Sequence, residues 1–320
     1  MGAETANGGI PTRLLYATKL RAGRGASHPP GTVPVMAHRI LHLSDTHLFG
    51  DDARHYGVTD TAANLRAVLA RASMLTDLDA VIVTGDCSED GSDASYELLR
   101  DTVTPWAAER GAHAVFVMGN HDLRAGFRAV LGDGTGGTGV ADAPVEGAVE
   151  LDGLRIVTVD TSVPGAGYGE LGEAQLDRLR GILATPAEHG TVLALHHPPV
   201  RAQTDLLQAL ALQRPQALAE VIRGTDVRVI LAGHYHHPLV ATFAGVPVVV
   251  SAAVTNLADA VGDPALEVSS AGAGGTVVEL DGDDLRVVPF RALVEGDGEQ
   301  VFAFDRDQVA AIIAAAGPKG

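Results

Sequence analysis

From residue 38 onward, short runs of β-branched and aliphatic residues alternate with stretches whose apolar positions recur every three to four residues. The first pattern predicts buried strands and the second predicts packing helices, so the chain reads as an α/β fold. Strands are predicted at 39–43, 80–84, 114–118, 191–195 and 227–231; the unbroken apolar run at 80–84 is of the kind covered on both faces. Helices are predicted at about 60–75, where Ala62, Leu65, Leu69 and Ala72 share one face, near 94–108, at about 173–183 and at about 307–316, the last closed by Gly317. Asp152-Gly153 between two alternating segments signals a hairpin whose second strand reaches Asp160-Thr161-Ser162. Shorter strands follow near 239–243, 246–251, 275–280 and 285–290, with the small-residue run 271–275 as a loop. Residues 132–139, rich in glycine, read as a flexible loop rather than a phosphate-cradling turn, because no strong strand precedes them and no clear helix follows.

Composition narrows the class. At 320 residues the chain can bury a sizeable core, and no apolar run reaches the roughly 18–20 residues of a membrane helix, so no membrane span is expected. A single cysteine, Cys87, excludes an internal disulfide and favours the cytoplasm; it reads as a small buried residue. Residues 1–37 lack a secretory apolar stretch and are expected to form a disordered extension ahead of one domain at 38–320. Met36 stands just before the first strand and is an alternative initiator. The net charge of −17 repels polyanions and argues against a nucleic-acid polymer as partner, whereas a bound metal cluster can still attract a small anion.

The 13 histidines are the more informative feature, because several stand where strands end. Ser44-Asp45-Thr46-His47, Gly85-Asp86-Cys87, Gly119-Asn120-His121-Asp122, His196-His197-Pro198-Pro199 and Gly233-His234-Tyr235-His236-His237 each follow a predicted strand. Strand ends are where an α/β sheet builds its sites. Asp45 and His47, two apart in an extended exit, can point to one face and grip one ion. Taken singly, each element has an ordinary reading: a surface pair or cap for Asp45 and His47, an N-cap for Asp86, a turn for Asn120-His121, a core histidine for His196, a strand pair for His234 and His236. Their recurrence in one order, with glycine before three of them, is harder to assign to chance.

That order of Asp-x-His, Gly-Asp, Gly-Asn-His-Asp, His before a proline two residues on, and Gly-His-x-His resembles the calcineurin-like metallophosphoesterases. The segments 43–48, 160–165, 195–199 and 223–228 resemble the bacterial class III cyclic-nucleotide phosphodiesterases in particular. The resemblance implies a four-layer α/β/β/α sandwich of two mixed sheets flanked by helices. It implies one metal held by Asp45, His47, Asp86 and His236, and a second held by Asp86, Asn120, His196 and His234. Asp86 would bridge the pair. Mixed nitrogen and oxygen donors without thiolate suit Fe, Mn or Zn. A hydroxide between the metals would attack phosphorus in line, with Asn120 and the non-ligand His121 as catalytic residues and Asp122 placed to orient His121. His197 and His237 are extra histidines, expected beside the ligands or exposed. Tyr168 and the loop 163–169 are expected to border the substrate, and this loop lacks the histidines that the resembled enzymes can carry there, which bears on substrate preference. The implied substrate is 3′,5′-cyclic AMP or a similar small phosphodiester, the alternatives being glycerophosphodiesters or other phosphate esters, or a non-catalytic interaction module. A homodimer is implied by the resemblance alone.

Overall fold

Nearly continuous apolar strands become a layered protein only when both faces are covered, and this chain covers them differently on its two sides. The computed structural model describes residues 37–140 and 143–319. The expected N-terminal extension and the alternative start at Met36 lie outside the described residues, except that Ala37 opens the first strand.

The first half runs β1 (Ala37–Leu43), α1 (Thr61–Arg71), β2 (Ala80–Thr84), α2 (Asp93–Ala108), β3 (His113–Val117) and α3 (Arg124–Leu131). The second half begins with the hairpin β4 (Ala148–Leu151) and β5 (Leu154–Val159), whose turn residues Asp152 and Gly153 take φ values of 46° and 87°. It continues through α4 (Glu173–Leu183), β6 (Thr191–Leu195), α5 (Asp205–Ala209), α6 (Pro215–Ile222), β7 (Val227–Ala232), β8 (Leu239–Phe243) and β9 (Val246–Val250). The C-terminal part comprises β10 (Asn256–Ala258), β11 (Glu267–Ala271), β12 (Ala273–Asp281), β13 (Asp284–Ala292), β14 (Gln300–Phe304) and α7 (Arg306–Ala316).

Two mixed sheets result, in the orders β13-β12-β1-β2-β3 and β4-β5-β6-β7-β9-β8, with a small third sheet, β10-β11-β14. Strands β1, β2 and β3 are parallel, as are β5, β6, β7 and β9. The alternation of side chains along a strand assigns the layers. In β2, Val81 and Val83 pack in one core with Leu65 and Val68 of α1 and Leu99 and Val103 of α2. Their neighbours Ala80 and Ile82 face a separate core shared with Val192 and Ala194 of β6 and with Val229 and Leu231 of β7. The alternate residues of those strands, Leu193, Leu195, Ile230 and Ala232, meet Leu176 and Leu179 of α4 and Leu218 and Ile222 of α6. This is the expected α/β/β/α sandwich.

Local signals fix the helix starts. Asp60 accepts the Ala63 N–H at 2.8 Å and Ser92 the Ser95 N–H at 3.2 Å, caps that contribute about 1 kcal/mol each. Helix α1 stops at Arg71, short of the expected 75, with Ala72 as its last hydrogen-bonded position. The predicted 271–275 loop is instead partly strand: Ala273, Gly274 and Gly275 pair with Ala292, Arg291 and Phe290. A Cβ on Gly274 would lie 2.4 Å from the Phe290 carbonyl oxygen and one on Gly275 2.7 Å from Leu43, so the missing side chains permit close packing rather than a break. Gly317 ends α7 with an extended φ of −77°, not the left-handed cap its identity predicts. The loop after Leu131 is tied by the Asp133 carboxylate, which accepts the Thr135 and Gly137 N–H groups at 2.8 Å. Among the described residues no helix is long and apolar enough to cross a membrane.

Candidate active site

The two sheets pack face to face with their parallel strands ending on one rim, so loops far apart in sequence meet there. Asp45 and His47 leave β1, Asp86 leaves β2, Asn120 and His121 leave β3, His196 follows β6, and His234 and His236 follow β7. Backbone bonds stitch these exits together: Asp45 N–H donates to Gly85 O at 3.0 Å, His47 N–H to Asp86 O at 2.9 Å and Gly233 N–H to His196 O at 3.0 Å. Of ten described non-glycine residues with positive φ, five are expected ligands: Asp45, His47, Asp86, His234 and His236. Left-handed backbone at such residues costs roughly 1–3 kcal/mol each and collects at functional sites.

The glycines of the motifs have a steric role. A Cβ on Gly85 would stand 2.4 Å from His196 Nδ1, one on Gly119 2.2 Å from Asp86 Oδ1, and one on Gly233 2.8 Å from Asp45 Oδ2. Each glycine makes room for an expected ligand arriving from a different loop.

Ligand atoms of Asp45, His47, Asp86 and His236 all lie within 4.8 Å of one another. His47 Nε2 is 3.3 Å from His236 Nε2, His236 Nε2 is 3.4 Å from Asp45 Oδ1, and His47 Nε2 is 3.6 Å from Asp86 Oδ2. Donors at about 2.0–2.1 Å from a shared tetrahedral ion stand about 3.3 Å apart, so these separations fit a cation. On the other side, Asp86 Oδ2 lies 3.2 Å from His196 Nε2, which is itself 3.1 Å from Asn120 Oδ1. His234 Nε2 is buried and has no hydrogen-bond partner. A buried nitrogen without a protein partner is costly unless a bound ion or water satisfies it. The single oxygen Asp86 Oδ2 therefore faces both groups of nitrogens. The remaining ring nitrogens are also arranged for ligation: His196 Nδ1 donates to Thr84 O at 2.7 Å, and His47 Nδ1 stands 2.6 Å from Glu89 Oε2. Such outer bonds fix the tautomer that leaves Nε2 for the metal. By this test the residues fit a pair of cations.

Charge balance among these side chains points the same way. Burial pushes the Asp86 carboxyl up, but the His196 and His121 imidazoles outweigh it and hold it well below the usual carboxylate range. Asp45 is likewise raised by burial and then drawn to about 2 by His236. Burial lowers His196, yet the Asp86 charge carries it to about 9. Cations held at this place would neutralise the same carboxylates.

Residues 38–238 match the calcineurin-like phosphoesterase family. The chain belongs to that family. The phosphoesterase is 46% identical to the cAMP/cGMP dual specificity phosphodiesterase of Mycobacterium tuberculosis over 72% of this chain and 70% of the relative. It is 34% identical to the 3′,5′-cyclic adenosine monophosphate phosphodiesterase CpdA of Pseudomonas aeruginosa over 62% of this chain and 69% of the relative. Among solved structures, a dimetal phosphatase from Danio rerio aligns at a TM-score of 0.56 and 14% identity, covering 84% of this chain and 99% of that one. A purple acid phosphatase from yellow lupin aligns at 0.56 and 12% identity, covering 89% and 57%. These two likenesses concern the fold.

One residue of the phosphoesterase site has partners other than the expected one. Asp122 does not face His121; its carboxylate accepts the N–H groups of Gly119, Ser88 and Cys87 at 2.8, 3.0 and 3.1 Å and so clamps two loops together. The carboxylate beside His121 is Glu89, with Oε2 3.1 Å from His121 Nδ1. Desolvation lowers the His121 imidazole, but Asp86 and Glu89 raise it to about 10. Sequence reasoning passed over Glu89, although its place three residues after Asp86 in the same strand exit was a usable signal. Of the two places expected for His197 and His237, beside the ligands or exposed, burial of both excludes the second. His197 Nδ1 is bonded to Thr161 Oγ1 at 2.8 Å and Nε2 to Gly167 O at 3.2 Å, while a His197 nitrogen also lies within 4.8 Å of His196 and His234 nitrogens. His237 stacks on Tyr235. Cys87 is buried, and desolvation with the nearby carboxylates holds its thiol well above the usual range, so it is inert.

Proposed function

We propose that the protein is a two-metal phosphodiesterase that hydrolyses 3′,5′-cyclic AMP or a similar small phosphodiester. The observation that carries this reading is Asp86 Oδ2, 3.2 Å from His196 Nε2 and 3.6 Å from His47 Nε2, one carboxylate oxygen between two sets of nitrogen donors. The nucleotide is supported by the names of the relatives, 46% and 34% identical. On this reading Asp45, His47, Asp86 and His236 hold one ion and Asp86, Asn120, His196 and His234 the other. Fe, Mn or Zn suit donors of this kind. Such a pair, when bound, polarises phosphoryl oxygens and acidifies water near neutral pH.

The chain's own residues then have distinct tasks. Glu89 accepts the Nδ1–H of His47 and keeps that ring aimed at its ion. It also faces His121 Nδ1, which leaves Nε2 free to donate a proton to the leaving ester oxygen. His121, with 40% of its side chain exposed, is the cluster residue open to an entering substrate. The backbone N–H of His121 donates to Asp86 Oδ1 at 2.9 Å, so the proton donor and the bridging carboxylate move as one unit.

The test is hydrolysis of cyclic AMP and bis-p-nitrophenyl phosphate by metal-stripped protein with and without Mn²⁺. Turnover of both only with metal is expected. Cleavage of the synthetic diester alone would remove the nucleotide, and cleavage of neither would remove the enzyme.

A further inference from the structure

Beyond the expected ligands, a row of aromatic rings leads away from the cluster. His55 is buried, its ring centroid is 5.1 Å from that of His47, and one of its nitrogens lies within 4.8 Å of a His47 nitrogen and a Glu89 oxygen. Tyr56 meets His55 edge-on at 4.7 Å. On its other side Tyr56 lies 4.7 Å from Phe302 and 6.1 Å from Phe304, and those two rings stack at 4.6 Å with an interplanar angle of 14°. The surface formed by Tyr56, Phe302 and Phe304 thus begins two ring contacts from a ligand of the first ion.

The presentation of Tyr56 is unusual. It sits in a tight turn closed by His55 N–H to Thr59 O at 3.0 Å and Thr59 N–H to His55 O at 3.1 Å, with φ of 51° at Tyr56 and 71° at Gly57. Left-handed backbone at a bulky residue is strained, and strain of this kind persists where the surroundings use it. Here it leaves Tyr56 55% exposed. Phe302 and Phe304 are half-buried in β14, beyond the residues 38–238 that match the family.

We propose that Tyr56, Phe302 and Phe304 form the platform on which the base of a cyclic nucleotide stacks while its phosphate lies at Asp86. This rests on the cyclic-nucleotide reading above. Stacking on an aromatic face tolerates any base, because every base has a π-face, so the platform favours purines by area rather than by hydrogen-bond pattern. An exposed ion pair, Arg54 with Glu295 at 3.4 Å, also joins the 54–59 turn to the C-terminal part. Packing between those two segments is therefore the plain role for Tyr56, and it differs from the proposed role in what it does to substrates.

The experiment compares KM for 3′,5′-cyclic AMP with KM for ribose 3′,5′-cyclic phosphate lacking the base, using full-length Mn²⁺-loaded protein. Tyr56→Ala and Phe302→Ala are expected to raise the ratio of the first KM to the second about tenfold, and Tyr56→Trp to restore it. A ratio unchanged in both alanine variants, or both KM values rising together, overturns the platform and leaves the turn as a structural tie. Wild-type protein that cleaves the abasic diester or bis-p-nitrophenyl phosphate but not cyclic AMP overturns the nucleotide reading and the platform with it.

Discussion

Replacing Gly119 with alanine isolates the geometric demand of Asp86, the proposed bridging carboxylate. Gly119 has ordinary negative φ, so alanine brings no backbone penalty and the effect is steric. The new Cβ would stand 2.2 Å from Asp86 Oδ1 and 2.3 Å from Asp86 N, where contacts below about 3.0 Å are essentially never seen. Either Asp86 or the Gly119 backbone must therefore shift by about 0.8 Å. Metal sites hold their ligand distances within about 0.2 Å, so a shift of that size forfeits the bridge. A misplacement near 1 Å costs about 100-fold in rate, and overpacking costs about 1–3 kcal/mol of stability. The measurement is metal content by mass spectrometry after dialysis, with turnover of bis-p-nitrophenyl phosphate and urea unfolding on the same sample. Loss of at least one ion and about 100-fold of the activity, in protein that still unfolds cooperatively, is expected. Gly119→Ala protein keeping both ions and near-native turnover would refute the reasoning.

Other substitutions probe separate links. Gly181→Ala in α4 meets no heavy atom within 4 Å and is expected to stabilise by about 0.5–1 kcal/mol in urea unfolding with activity unaltered; a destabilised variant would contradict the solvent-facing placement. Tyr96→Phe removes the buried hydroxyl that accepts Leu123 N–H at 2.8 Å, and a loss of about 1–3 kcal/mol in the same assay is expected. Glu89→Gln is expected to lower kcat/KM by about 10–100-fold, because one oxygen serves both His47 and His121; wild-type kinetics would show that Asp122 or solvent does this work instead.

The fold and the set of strand-end residues were legible because the signals are local. Runs such as Ala80–Thr84 and Thr191–Leu195 declare strands, and the residues that follow them share a rim whatever the register. What escaped was decided between segments. Asp122 stands beside His121 in sequence, yet its partners are the Gly119, Ser88 and Cys87 amides, while Glu89 reaches His121 from another loop. Strand β14 alternates only partly buried residues and gives a weak period, and α3 and α6, eight residues each, present two or three buried positions apiece, too few to stand out. Ala273 and Gly274 fall in a small-residue run that reads as a break because glycine usually marks one, whereas the tight approach of Phe290 to Gly274 makes them strand.

The central claim is that one carboxylate, Asp86, joins two cations. Electron paramagnetic resonance of Mn²⁺-reconstituted protein, with metal content measured in parallel, reads it directly. Two ions per chain with a spin-coupled spectrum are expected, and Asp86→Ala should abolish the coupling and release metal. One ion per chain, uncoupled Mn²⁺ signals in the wild type, or a coupled pair surviving in Asp86→Ala would contradict it.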